Sequence, residues 1–130
     1  MNKEQDEVKL SVSMTERDDV VIVTVAGEVD VYTAPQLRSA LEERIAAGQN
    51  KVVVDLEGVG FIDSTGLGVL VGQLKALRKV DGTLRIVCSD ERILRLLAIT
   101  GLDQILPLHD SVDAALAVVD EGVAEPGVSA

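Results

Sequence analysis

Two runs of β-branched residues, each followed by a helical stripe, constrain this chain more than any other feature. Val20-Val21-Ile22-Val23-Thr24-Val25-Ala26 and Val52-Val53-Val54-Asp55-Leu56 are nearly continuous apolar stretches. A strand with one wet face alternates apolar and polar residues; a strand apolar at almost every position is covered on both faces. After the first run, Leu37, Leu41 and Ile45 recur at helical spacing. After the second, Leu67, Leu70, Val71, Leu74 and Leu77 do the same. Strands alternating with helices predict an α/β domain with a mixed, mostly parallel sheet, right-handed crossovers and four flanking helices.

The remaining elements follow from local signals. Residues 8–13 alternate apolar and polar, which predicts a half-exposed strand at a sheet edge. Asp18-Asp19 makes a turn into the Val-rich strand. Gly27-Glu28-Val29-Asp30 then reads as a loop, Thr33 as an N-cap and Pro35 as a first-turn proline, with a helix from Ala34 to about Ala47 stopped by Gly48. Residues 57–63 read as a glycine-containing connection. A second helix runs from Ser64 or Thr65 to Lys79, with Lys75, Arg78 and Lys79 at its end, where the helix dipole favours cations. Residues 83–88 form a fourth strand, ending on Cys88. Ser89 or Asp90 caps a third helix, which carries Ile93, Leu96, Leu97 and Ile99 and stops at Gly101. Residues 105–108 form a short last strand, which Pro107 pushes toward the edge. Asp110 or Ser111 caps a final helix through Val119, with Val112, Ala115, Leu116 and Val119 inward. The domain is expected over residues 8–119, with flexible termini at 1–7 and 120–130.

Composition removes several function classes. In 130 residues there are 22 acidic and 12 basic side chains, a net charge of −10. A field of that sign repels phosphate backbones and anionic lipid, so neither direct nucleic-acid binding nor membrane binding is expected. Aromatics amount to 2%, namely Tyr32 and Phe61, so the core is built from Val, Leu, Ile and Ala. With no aromatic patch legible, the free chain is expected to be a monomer. One Cys and one His leave no internal disulfide, no thiolate zinc cage and no multi-histidine metal site; no cofactor is expected. The acidic first residues contain no apolar h-region, and no apolar run approaches the ~20 residues that span a bilayer. A cytoplasmic location is the default.

Phe61-Ile62-Asp63-Ser64-Thr65-Gly66-Leu67-Gly68 is the segment with most chemistry. It places two hydroxyls at the start of an amphipathic helix, where unpaired backbone N–H groups carry partial positive charge. A phosphate added to a hydroxyl there is tolerated by its own protein, yet brings about −1.5 to −2 charge to a surface another protein could bind. Local pattern alone fits a plainer reading more readily: Ser64 as an N-cap with Asp63 beside it. Gly66 and Gly68 read either as openings for close approach by a partner or as small residues that ease packing of the helix.

These residues resemble those of an anti-sigma factor antagonist (anti-anti-sigma factor) of the STAS domain family. The resemblance rests on Asp63-Ser64-Thr65-Gly66-Leu67-Gly68, Gly27-Glu28-Val29-Asp30 and Val52-Val53-Val54-Asp55-Leu56, in that family's order, over about residues 8–119. It implies a binding protein, not an enzyme. In such proteins the serine at the place of Ser64 is phosphorylated by the partner anti-sigma factor, itself a serine kinase. The unmodified form binds that kinase and releases the sigma factor; phosphorylation abolishes the contact and a serine phosphatase restores it. The resemblance marks Thr65 as a secondary acceptor and puts Asp30, Asp63, Ser64, Thr65 and Gly66 on the partner-binding face. The alternative is a phosphorylatable STAS binding module in another kinase/phosphatase signalling complex.

Other candidates are weaker. Asp55 could suggest an aspartyl-phosphate receiver, but no Lys follows Lys79 to complete one, and Asp55 reads better as a strand-end residue bonding loop amides. No Gly-Lys-Ser/Thr loop cradles a nucleotide. Ser64 lacks a Gly-x-Ser-x-Gly elbow, and His109 is the sole histidine available to a nucleophile. Cys88 reads as a small buried hydrophobe, His109 as a surface residue beside Asp110, and Lys75, Arg78 and Lys79 as a solvated helix end more readily than a docking patch.

Overall fold

The computed structural model describes residues 9–121. Strands β1 (Leu10–Arg17) and β2 (Val20–Val29) form an antiparallel hairpin, turned at Asp18 in a left-handed backbone conformation (φ 58°). From there the chain alternates: α1 (Ala34–Ala46), β3 (Lys51–Ile62), α2 (Ser64–Arg78), β4 (Thr83–Val87), α3 (Glu91–Thr100), a 3-10 turn (Leu102–Gln104), β5 (Leu108–His109) and α4 (Val112–Glu121). The sheet order is β1-β2-β3-β4-β5, with every pair after the hairpin parallel. This is the expected mixed sheet with four helices.

Sequential order explains where the helices lie. Crossovers of one hand that always step to the next strand deposit their helices on one face. Leu37 and Leu41 of α1, Leu70 and Leu74 of α2, and Ile93 and Leu97 of α3 accordingly share one core with Val21, Val23, Val52, Val54 and Ile86. On the opposite face Ala115 and Leu116 of α4 cover Val20, Ile22, Val53 and Val87. Both faces of the central strands are therefore dry, as the continuous Val runs require. Each such side chain contributes about 1.5–3 kcal/mol by leaving water. Arg85 is the exception on β4: it is 1% exposed, with its Nη1 3.3 Å from His109 Nε2.

Several boundaries differ from the sequence reading. Gly27-Glu28-Val29 is strand, not loop, and β3 runs on through the glycine-containing segment 57–62. The two extensions hold each other up, because Ala26 pairs with Gly58, Gly27 with Val59, Glu28 with Phe61 and Val29 with Ile62, across two register shifts. Bulges are where a strand accepts glycine. Gly27 is required as such: its φ is 110°, and a Cβ there would meet the carbonyl oxygen of Lys9, just before β1. The first strand runs from Leu10 to Arg17, later than predicted. The last strand is only Leu108–His109; Pro107, lacking an N–H, joins β4 through its carbonyl alone, accepting from Ile86 N at 2.8 Å. The final helix reaches Glu121, past the predicted end at Val119. His109 is half-buried against Arg85 instead of at the surface, whereas Cys88 is buried as expected. The readings for residues 1–8, the Val119 side chain and residues 122–130 fall outside the described residues.

Candidate functional site

The parallel strands β2 and β3 end side by side, and each hands the chain to a turn governed by one aspartate. After β2, Asp30 Oδ1 accepts from Tyr32 N (2.9 Å) and Thr33 N (3.0 Å). Thr33 Oγ1 donates to Glu28 O (2.8 Å) and accepts from Asp30 N (2.9 Å). Thr33 occupies the N-cap position of α1 but makes no side-chain capping bond, because its hydroxyl is spent on this turn. The Thr33 amide lowers the pKa of the Asp30 carboxyl, so Asp30 is an anion at neutral pH.

After β3, Asp63 is the N-cap of α2. Its Oδ1 accepts from Thr65 N (2.9 Å) and Gly66 N (3.2 Å). Ser64 is thus the first helical residue and not the cap. Asp63 takes the capping role, and Ser64 is exposed. Asp63 N also donates to Val29 O (3.1 Å), which ties the start of α2 to the end of β2. Asp30, Asp63 and Ser64 therefore belong to one end of the sheet, and Thr65 beside them is half-buried. The cap takes up the Thr65 and Gly66 amides that a phosphate on Ser64 would otherwise use, so the helix end offers an added anion less than the bare dipole argument assumed.

Gly66 stands apart from the others in that group. It is buried and faces the sheet; a Cβ there would lie 2.5 Å from Val29 Cγ1 and 2.8 Å from Ile62 Cγ1. Its smallness serves the seating of α2 and presents no side to a partner. Gly68 and Gly72 point the other way, with nothing within 4 Å of a built Cβ. They floor an open groove of about 390 Å³ that begins at Ser64, reaches Lys75 and is walled by Thr100 and Leu102.

Sequence reading missed the exposed apolar residues at this end of the sheet. Val31 is 55% exposed, Tyr32 86% and Phe61 50%. The available signal was that the chain's two aromatics sit beside Asp30 and Asp63 and not within an apolar stripe. The weaker candidates resolve simply. Asp55 lies within β3 and bonds the Glu57 amide (2.9 Å). Asp90, not Ser89, caps α3, while Ser89 bonds Glu57 through its amide (2.7 Å) and hydroxyl. Ser111 receives the Ala114 amide at the start of α4 (3.0 Å). Burial raises the pKa of the Cys88 thiol, which keeps it protonated and unreactive. Among the described residues no His, Cys, Asp or Glu cluster could hold a metal ion, and no helix is long and apolar enough to cross a membrane.

Comparison with known proteins agrees with this architecture. The STAS domain model matches residues 11–115. An anti-sigma-B factor antagonist of Staphylococcus aureus is 40% identical over 106 residues, covering 82% of this chain and 98% of that protein. The crystal structure of an anti-sigma factor antagonist from Mycobacterium paratuberculosis superposes with a TM-score of 0.80 at 32% identity, over 85% of this chain and 94% of that one. The anti-sigma factor antagonist SpoIIAA in its unphosphorylated form shares the fold, with a TM-score of 0.68 at 17% identity, over 87% and 100% of the two chains. The chain belongs to the STAS domain family, alongside relatives that are anti-sigma factor antagonists.

Proposed function

We propose that this protein is a cytoplasmic anti-sigma factor antagonist. It binds an anti-sigma factor that is also a serine kinase, through the surface around Ser64, and so releases the sigma factor. Phosphorylation of Ser64 by that kinase ends the contact, and a serine phosphatase restores it. The protein acts by binding and catalyses nothing itself. The observation that carries this reading is the exposure of Ser64 as the first residue of α2, directly after the Asp63 cap. The names of the relatives at 40% and 32% identity support the role.

The switch is electrostatic. A phosphoserine adds about −1.5 to −2 charge next to the Asp63 and Asp30 carboxylates. Its oxygens find the first-turn amides already bonded to Asp63 and remain hydrated. A partner closing over that dianion must strip its water and meet like charge, and each 1.4 kcal/mol lost weakens binding about tenfold. The fold need not change, because the capping bonds of α2 do not involve the Ser64 hydroxyl.

Incubation with the cognate kinase and labelled ATP tests the proposal. Label is expected on Ser64, and Ser64→Ala is expected to lose it while still binding the kinase. Undiminished labelling of Ser64→Ala would overturn the assignment.

A further inference from the structure

An α/β domain of this size normally spends its aromatic side chains on the core, where each buries more area than any aliphatic residue. This chain has two, Tyr32 and Phe61, and buries neither. Both stand at the end of the sheet where α2 begins. Phe61 is paired with Glu28 on the neighbouring strand and lies three residues before Ser64. Tyr32 lies two residues after Asp30, in the turn whose origin at Val29 receives the Asp63 amide. The Tyr32 backbone is immobilised by its bond to Asp30 Oδ1. An 86% exposed aromatic on a turn closed by four short hydrogen bonds has no role in holding the domain together. It does meet the requirements of a binding anchor: large, amphipathic, and pre-ordered before contact.

We propose that Tyr32 and Phe61, flanking Ser64, are the two apolar anchors that seat the partner kinase, which meets them with apolar pockets inside a basic rim. This rests on the reading of Ser64 as the switch. The occupant follows from charge. Glu28 is the cross-strand partner of Phe61, Asp30 and Asp63 each lie two residues from an aromatic, the one cation lining a pocket with Phe61, Arg92, is paired with Asp90, and the chain as a whole carries −10. A second copy would bring the same acids against these, so a cationic rim on a different protein is the complement. The position of Ser64 among the anchors gives its phosphate the greatest effect, since charge is costliest where water is excluded.

The test is the affinity of purified full-length variants for the anti-sigma kinase, by calorimetric titration without ATP, after circular dichroism has verified folding. Tyr32→Ala is expected to weaken binding about thirtyfold, and Phe61→Thr, which puts a strand-favouring β-branched residue into β3, at least tenfold. Val80→Ser is the control. Val80 is 53% exposed and lies beyond the far end of α2, about 22 Å along the helix from Ser64, so its affinity should be unchanged. Wild-type affinity in both aromatic variants would overturn the inference, as would equal losses in all three. Either result leaves the Ser64 reading standing, because wild type still binds. Absence of wild-type binding would instead remove that reading itself. A shift from dimer to monomer in Tyr32→Ala by sedimentation, with kinase affinity unchanged, would also overturn the inference and assign the anchors to self-association.

Discussion

Gly66 and Gly68 lie two residues apart on α2, yet alanine at the two positions is expected to change stability in opposite directions. A Cβ at Gly66 would sit 2.5 Å from Val29 Cγ1, 2.8 Å from Ile62 Cγ1 and 3.2 Å from Ile62 Cδ1. Val29 is 0% and Ile62 4% exposed, and neither β-branched side chain can rotate out of the way inside a filled core. Relief therefore requires α2 to lift from the sheet, and overpacking of this kind costs about 1–3 kcal/mol. Replacing a helical glycine by alanine returns about 0.5–1 kcal/mol of backbone entropy, less in the first turn. Gly66→Ala should thus destabilise by about 1–2 kcal/mol. At Gly68 nothing lies within 4 Å of the new methyl group, so only the gain operates and Gly68→Ala should stabilise by about 0.5–1 kcal/mol. Urea unfolding followed by circular dichroism measures both, with the slope expected to stay constant so that midpoints report stability. Stabilisation of Gly66→Ala equal to that of Gly68→Ala would refute the packing argument.

Two further expectations concern the cap and the sheet edge. Asp63→Ala removes the acceptor for Thr65 N and Gly66 N and should cost about 1 kcal/mol in urea unfolding, whereas Asp63→Asn, still a good cap, should cost less; equal losses would show that the hydrogen bonds matter little. Burial and the Arg85 guanidinium hold the His109 pKa below its ordinary 6.5, with Asp110 opposing. The unfolded chain therefore takes up the proton first as pH falls, and His109 contributes stability that is complete above about 6.5 and is lost as pH drops toward its folded value. Thermal melts between pH 7.5 and 5.5 should show the decline, and His109→Gln should flatten it; an unchanged slope would disconnect the effect from this residue.

Which parts of the molecule were legible depends on how local their causes are. The Val runs, the Leu stripes of α1 and α2 and the stop at Gly101 each answer to a period or a single backbone preference, and they were readable directly. The extensions of β2 and β3 were not. Glycine at 27, 58 and 60 signals a loop unless another strand supplies the hydrogen-bond partner, and that partner lies some thirty residues away. Nothing local marked Arg85 for burial, yet it is 1% exposed with His109 Nε2 3.3 Å from its Nη1. Ser64 and Asp63 were both visible as candidates, yet nothing in their order said which would cap and which would project. The exposure of Tyr32 and Phe61 had only their place beside Asp30 and Asp63 as a signal, because an aromatic at a strand end or turn is buried or bare according to what packs over it.

The amino-acid order alone thus determined the element types, the two-sided burial of the central strands and the segment carrying the serine, because these depend on neighbours within a few residues. Tertiary structure decided the rest. It turned Gly66 inward against Val29 and Ile62, and it left Ser64, Tyr32 and Phe61 exposed at one end of the sheet. Those outcomes come from pairing the ends of β2 and β3, a contact between distant segments that no local preference encodes.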